Sequence, residues 1–491
     1  MTLHALPEGI LTMLRSVEEA LGDIDDAWQR QPARLSKQVR LEQALIELIE
    51  SLWEDGQRLP AHRHICQRLG LARSTLAGVM ENLQSRGLLV TQHGRGSWTQ
   101  RSVTATEHAT TPEAGLSQRA RALLHTAAVS PVQSGAFVPG IPDIARFPMR
   151  RWRALYATLT VPHNALLLSY SSGGYGPLKR AIADFLRRWR GIECALEQII
   201  ITDGTHHGLE LCALALADHG DRVVMDSPCY WGARNVFQAA GLAISRCRWQ
   251  PGVGYRDLPK AAHAPRLLYL TGARHYPLSV YMPVEDKRAL VERLAPEVII
   301  EDDYEFFDRR HRDLLFSPDN GRCLLAGSFS KLMFPGLRLG YLVVPRTLSG
   351  AINRVRSEVF REGRMLDQAV LAQFMADGDL DRWCRRINRD YLQRQQTLHD
   401  LLVDLPGVVD VSPPAGTITL CVMLAEQIDD VRLSRYLLNQ YRLVVRPLSL
   451  VCSDDDPRRG LVLGVGMVEG ETLERLGRQL AEGIRRFVER P

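Results

Sequence analysis

Apolar positions along the chain change their period twice. Leu41, Leu45, Leu48, Ile49 and Leu52 recur at helical spacing, Ile65 and Leu69 form a second short stripe, and Leu76, Val79, Met80 and Leu83 a third. Gly56, Gly70 and Gly87 close the three stretches and Pro60 opens the second. Leu88–Thr91 and Ser97–Gln100, joined by His93-Gly94-Arg95-Gly96, then read as a hairpin with a basic tip. From about residue 134 short apolar runs alternate with helical stretches: 198–202 (QIIIT), 222–226 (RVVMD), 266–271 (RLLYLT), 298–302 (VIIED), 323–327 (CLLAG) and 340–344 (GYLVV). Runs of this kind predict buried parallel strands covered by helices on both faces, hence an α/β domain.

The intervening segments set the boundaries. Residues 101–133 are rich in Ser, Thr, Ala and Pro, as a linker is. Residues 1–35 hold an amphipathic stripe (Ile10, Leu14, Val17, Leu21) and then a polar tether, read as an N-terminal helical extension. The expected layout is therefore 1–35 extension, 36–100 small helical unit with hairpin, 101–133 linker and 134–491 large α/β domain. A length of 491 residues, 45% hydrophobic and 24% charged, suits such a multi-domain globular chain. No apolar run reaches the ~18–20 residues of a membrane span, and a basic region followed by an apolar h-region is missing from the start, so a cytoplasmic location is the default. Nine scattered cysteines without CxxC spacing suggest neither a disulfide framework nor a metal site.

A net charge of +5 is modest, but it is unevenly spread. Arg58 to Arg101 carries seven arginines against the single acid Glu81, whereas Lys37 to Asp55 carries two bases against five acids. A concentrated positive segment fits a binder of the phosphate backbone, although on charge alone a solvated basic face would read the same. Two helices joined by a Gly turn, with Arg73, Ser74 and Thr75 opening the second, match a helix that enters the major groove by its N-terminal end. Gly56 to Pro60 (GQRLP), Arg63, Leu69-Gly70-Leu71, Arg73-Ser74-Thr75, Gly87-Leu88 and the wing Gly94-Arg95-Gly96-Ser97 resemble the winged helix-turn-helix domain of the GntR regulators. The resemblance implies that Arg63, Arg73, Ser74, Thr75, Arg95 and Gly96 approach double-stranded operator DNA. Ala61 and Ala72 stand where serine is usual; at Ala72 the lost N-cap hydroxyl costs roughly 0.5–2 kcal/mol unless Ser74 substitutes.

The most informative stretch runs from Gly327 to Tyr341 (GSFSKLMFPGLRLGY). It groups the amine of Lys331 with Ser328, Ser330 and Arg338. A desolvated lysine forms a Schiff base, and arginine with serines holds a phosphate through charge-assisted hydrogen bonds, so the group suits a phosphorylated aldehyde. The pattern resembles pyridoxal-phosphate enzymes of the aspartate aminotransferase fold (PLP fold type I). That resemblance implies pyridoxal 5'-phosphate bound to Lys331 as an aldimine, Asp302 on the pyridine nitrogen, Tyr304 on the phenolic oxygen and Tyr230 stacked on the ring. It further implies a phosphate cradle at Gly204, Thr205 and His206, where a strand opens into a helix. Tyr170 is similar to a tyrosine that reaches the neighbouring subunit's phosphate, implying a homodimer with domains exchanged between subunits.

A GntR head joined to an aminotransferase-like domain is the layout of the MocR subfamily of bacterial transcriptional regulators. The resemblance implies a cofactor-dependent regulator that senses an amine, an amino acid or the vitamer through the Lys331 aldimine. The competing reading is a working aminotransferase with an appended DNA-binding head. Against it, Val462 stands in the strand position where aspartate aminotransferase relatives carry the arginine for the substrate carboxylate. Leu278 and Ser279 likewise replace a Thr-Gly pair expected beside the ring. Arg274, His275 and Arg446 are candidates for a relocated effector-binding group, though each alone reads more simply as a solvated loop charge.

Overall fold

The computed structural model of the chain describes residues 17–32, 35–53, 56–85, 88–92, 96–99, 115–125, 135–161, 164, 167–169, 173–256, 258, 263–305, 314–361 and 363–489. They fall into two compact units, Met1–Ala114 and Gly115–Pro491.

In the first unit the three apolar stripes become the helices Lys37–Ser51, His62–Leu69 and Arg73–Ser85, followed by the antiparallel hairpin of Leu89–Gln92 and Gly96–Thr99. Ser36 caps the first, its hydroxyl accepting from the Val39 N–H at 3.3 Å, and Gly70 ends the second in the left-handed region at φ +60°. Leu41, Leu45, Leu48, Ile49, Ile65, Leu76, Val79, Met80 and Leu83 are buried. Leu52, expected on the first stripe, is exposed instead. The helix stops at Ser51, and the turn that follows buries Trp53, whose indole N–H donates to Asp23 Oδ2 at 2.9 Å.

Asp23 belongs to the helix Val17–Arg30, which packs Ala20, Leu21, Ile24, Ala27 and Trp28 into the same core. This segment is thus a fourth layer of the head rather than an extension beside it. The buried stripe also differs from the expected one, because Val17 is exposed, while Ile10 and Leu14 lie outside the described residues. Arg68, one of the seven arginines of the basic segment, is paired with Asp25 of this helix at 3.0 Å, which removes it from the free positive face.

Within 101–133, expected as linker, Gln118–His125 is a helix, and its Arg119 donates to the carbonyl of Ala239 in the second unit at 3.2 Å. That unit is built on an eight-stranded sheet whose spatial order is Ile199–Thr202, Gly340–Val343, Cys323–Ser328, Val298–Asp302, Leu267–Thr271, Arg222–Ser227, Ala243–Gln250 and Gly254–Arg256. All six expected strands are present, joined by two more at one edge. One of the six expected strands is not parallel: Gly340–Val343 runs antiparallel to both neighbours, as the edge strand Gly254–Arg256 does to Ala243–Gln250. For Gly340–Val343 the reason is length, since only residues 329–339 separate it from Cys323–Ser328, too few for the crossover of a dozen or more residues that a parallel connection needs. Those eleven residues carry Lys331 and Arg338. A smaller antiparallel sheet (Val408–Val411, Thr419–Leu424, Arg459–Gly464, Arg446–Pro447) with the helices Asp379–Leu402, Asp430–Tyr441 and Gly470–Val488 completes the unit.

The fourth layer of the head yields a first expectation. Ile24 is fully enclosed, so Ile24→Ala should lower the stability of the head by about 2–5 kcal/mol in denaturant unfolding. An unchanged midpoint would mean that Val17–Arg30 is not part of the cooperative core.

Candidate functional site

Three consecutive carboxylates end the central strand Val298–Asp302 and the turn after it, and each points elsewhere. Glu301 faces one side of the sheet and pairs with the fully buried Lys287 at 2.5 Å. Asp303 takes a bidentate pair from Arg190 at 2.5 and 3.1 Å. Asp302 lies between them at the carboxyl end of the sheet, where open α/β folds bind ligands. Its Oδ2 accepts from the Tyr269 hydroxyl at 2.8 Å, while Oδ1 is buried without a partner among the described residues. Burial pushes this carboxyl up to about 7.

Asp302 opens onto a cavity of about 310 Å³. Thr205, His206, Tyr230, Tyr304, Ser328, Ser330, Lys331 and Arg338 also line it, so most of the positions expected from sequence converge on one place. Gly204 stands immediately behind, at φ +83° and N-terminal to the helix Thr205–Leu216, and a Cβ there would lie 3.5 Å from the Arg338 guanidinium carbon. Arg338, Ser328, Ser330 and a helix N-terminus therefore meet at one end of the cavity, a group suited to a phosphate. Tyr170 and Arg95 lie outside the described residues.

The loop 329–339 is held by the Phe329 N–H to the Leu339 carbonyl at 3.1 Å and by the Trp383 indole to the Leu332 carbonyl at 2.6 Å. The Lys331 amine donates to the Gly140 carbonyl at 2.8 Å. Gly140 is required there, since a Cβ would come within 2.7 Å of that amine, and φ is +77°. Burial, followed by the positive charge of Arg446, lowers the lysine from its ordinary 10.5 to about 8. His206 is lowered as well, by burial and then by Arg338 and Lys331. The Tyr304 hydroxyl and Thr271 Oγ1 face the cavity buried and unpartnered among the described residues.

Several contributors were not apparent from sequence. Gly140, Trp231, Tyr269, Thr271, Tyr276 and Thr419 line the cavity, and only the Pro139-Gly140 pair carried a local signal of close backbone approach. Leu278 and Ser279, expected beside the ring, do not reach it. Leu278 packs with Trp249 and Met282, and Ser279 Oγ bonds Thr419 Oγ1 at 2.8 Å, leaving Tyr276 as this loop's contribution. Val462 is likewise buried in that separate cluster. Of the three relocated-group candidates, His275 is stacked on Trp249 at 5.0 Å, and burial holds it down near 3, so it is neutral. Arg274 points to the Ser279 carbonyl at 3.5 Å. Arg446 does line the cavity, and it is buried.

In the head, Arg63, Arg73 and Ser74 are exposed, Thr75 is half-buried, and Gly96 opens the second strand of the hairpin at φ +127°. The Ala72 carbonyl accepts from the N–H groups of Thr75 and Leu76 at 3.1 and 3.3 Å, as an N-cap residue does without a hydroxyl to add.

Comparison with known proteins gives the same division of the chain. Residues 37–98 match the gntR family of bacterial regulatory proteins and residues 163–459 the aminotransferase class I and II family. The probable rhizopine catabolism regulatory protein MocR of Rhizobium meliloti is 30% identical over 87% of this chain and 89% of its own length. The pyridoxine biosynthesis transcriptional regulator PdxR of Corynebacterium glutamicum is 27% identical over 92% and 96%. Among solved structures, the α-aminoadipate aminotransferase LysN of Thermus thermophilus superposes with a TM-score of 0.62 at 22% identity, covering 76% of this chain and 96% of that one, which shows the fold of the second unit.

The lowered Lys331 gives a pH expectation. Its neutral amine is the nucleophile, so the rate at which the protein takes up pyridoxal phosphate, followed by absorbance, should rise with pH and level off above about 8. A rate still climbing toward pH 10 would indicate an ordinary, solvated lysine.

Proposed function

The chain belongs to the GntR family of bacterial regulators, in the MocR-type form that carries an aminotransferase class I and II domain, and from that premise we propose a pyridoxal-phosphate-dependent transcriptional regulator. Its head reads operator DNA, and its second unit senses a small amine, amino acid or vitamer at the Lys331 amine. The observation that carries this reading is the set of unpartnered polar atoms around that amine: Asp302 Oδ1, the Tyr304 hydroxyl and Thr271 Oγ1, with Arg338 and the start of Thr205–Leu216 opposite. Buried polar groups normally have partners, so such a set marks a place built for a ligand.

When bound, pyridoxal phosphate supplies an aldehyde that condenses with primary amines and a ring that withdraws electrons from the attached carbon. The residues fit it. Arg338, Ser328, Ser330 and the N–H groups at Thr205 and His206 would hold the phosphate. Asp302 would pair with the ring nitrogen, the Tyr304 hydroxyl would serve the phenolic oxygen, and Tyr230 would pack on the ring. Burial and the Arg446 charge lower Lys331 to about 8, so a larger share of its amine is neutral near neutral pH than for a solvated lysine.

In this reading Arg63, Arg73, Ser74, Thr75, Arg95 and Gly96 meet the DNA. Tyr170 completes the phosphate site of a neighbouring subunit in a domain-exchanged homodimer, and the protein works in the cytoplasm.

Two measurements test the proposal. Borohydride reduction of the cofactor-loaded protein followed by peptide mass spectrometry should find the added mass on Lys331; an unmodified Lys331 removes the cofactor from the account. Arg73→Ala should weaken operator binding and reduce the salt dependence of log K by about one unit, since one phosphate contact releases about one counterion. Unchanged affinity and slope would take Arg73 out of the interface. Transamination of common amino acids with kcat of about 1–10³ s⁻¹, together with DNA binding blind to cofactor and amine, would favour the enzyme reading instead.

A further inference from the structure

The cavity contains more positive charge than the cofactor uses. Lys331, Arg338 and Arg446 line it, against Asp302 as the one lining carboxylate among the described residues. The two arginines sit in different settings. Arg338 is exposed and lies against Gly204, at the phosphate end. Arg446 is buried at 8% exposure, its guanidinium 6.0 Å from the centre of the Trp231 ring, with Nη1 donating to the Tyr276 hydroxyl at 3.1 Å. Its Nε is buried without a hydrogen-bond partner, and no carboxylate pairs with it among the described residues.

A guanidinium taken out of water without an anion is costly, and an aromatic face with one neutral hydroxyl compensates only part of that cost. The group is also held in place: Arg446–Pro447 pairs with Arg459–Gly464, setting Arg446 opposite Val462. A fixed planar fork with unused N–H donors is the geometry that recognises a carboxylate.

We propose that Arg446 is the anion-recognising residue of the effector site, and that the effector is a small primary amine bearing a carboxylate, its amine directed to the Lys331 end and its carboxylate on the Arg446 guanidinium. This rests on the reading of the cavity as a pyridoxal-phosphate sensor and narrows its ligand from amines in general to amino acids. Val462 then needs no arginine, because the charge arrives from the adjacent strand.

The test uses the full-length, cofactor-loaded protein and matched probes: alanine with ethylamine, and 4-aminobutanoate with propylamine, each pair differing by the carboxylate. Binding is read from the cofactor's absorbance and from the shift in unfolding temperature. In at least one pair the carboxylate member should bind about 10–100-fold more tightly, as expected for a buried charge-assisted hydrogen bond. Arg446→Leu should abolish that preference, and Arg446→Lys should retain a reduced one. Equal binding within each pair, failure of all four probes to bind at millimolar concentration, or a preference that survives Arg446→Leu overturns the proposal. So does loss of the cofactor itself from Arg446→Leu, which would assign the residue to the phosphate. Borohydride labelling of Lys331 in the same wild-type sample separates the two failures: without label the sensor reading falls, whereas with label and no carboxylate preference only this proposal falls.

Discussion

The site depends on how one strand end disposes of three buried carboxylates. Glu301, Asp302 and Asp303 cannot all remain charged in a dry interior unless each finds a counter-charge or donors, because an unpaired buried ion costs several kcal/mol. Lys287 answers Glu301 and Arg190 answers Asp303. Tyr269 answers Asp302 only in part, leaving Oδ1 facing the cavity. The flanking pairs lock the strand end, so Asp302 cannot swing away to solvent. A cationic ring nitrogen is the kind of partner that completes the set.

The lysine arrives through a topological reversal. Because the connection from Cys323–Ser328 is too short to cross over, the chain turns back within residues 329–339 and sets down Gly340–Val343 antiparallel. The turn therefore stays at the same sheet end as Asp302, with Lys331 early in it and Arg338 late. A remote segment closes the site: Gly140 brings its carbonyl to the lysine amine, and Gly464 and Gly466 lie so close to residues 138–142 that a Cβ on either would come within 2.0 Å of a backbone oxygen. The amine is thereby desolvated and its proton loosened, which links packing of the chain's distant parts to the chemistry of one nitrogen.

Much of the fold was legible because the apolar runs of the sheet are buried on both faces and carry no ambiguity of register. Six strands and the three head helices follow from such runs and from Gly and Pro punctuation. The misreadings share a cause. Leu52 differs from expectation by a helix end, where one residue of turn changes which side chain is inside. Val17 was placed on an apolar stripe, whereas the stripe that packs uses Ala20, Ile24, Ala27 and Trp28, selected by the neighbouring helices. Leu278 and His275 lie within two residues of the cavity residue Tyr276, yet pack on Trp249 and its cluster, and Ser279 bonds Thr419, because residues 276–279 form a turn rather than a regular strand.

The sequence by itself determined the two-unit plan, the strand that ends in Asp302 and the lysine loop with its serines and arginine, since local spacing and composition encode these. Tertiary structure decided which charges share a space. Nothing in the local sequence of Arg446 separates it from a solvated arginine; a two-residue strand pairing with Arg459–Gly464 and the Trp231 and Tyr276 side chains turn it inward. The same holds for Gly140, nearly two hundred positions from the amine it contacts. Contacts across such distances depend on how the sheet ends converge, and that is a property of the packed chain.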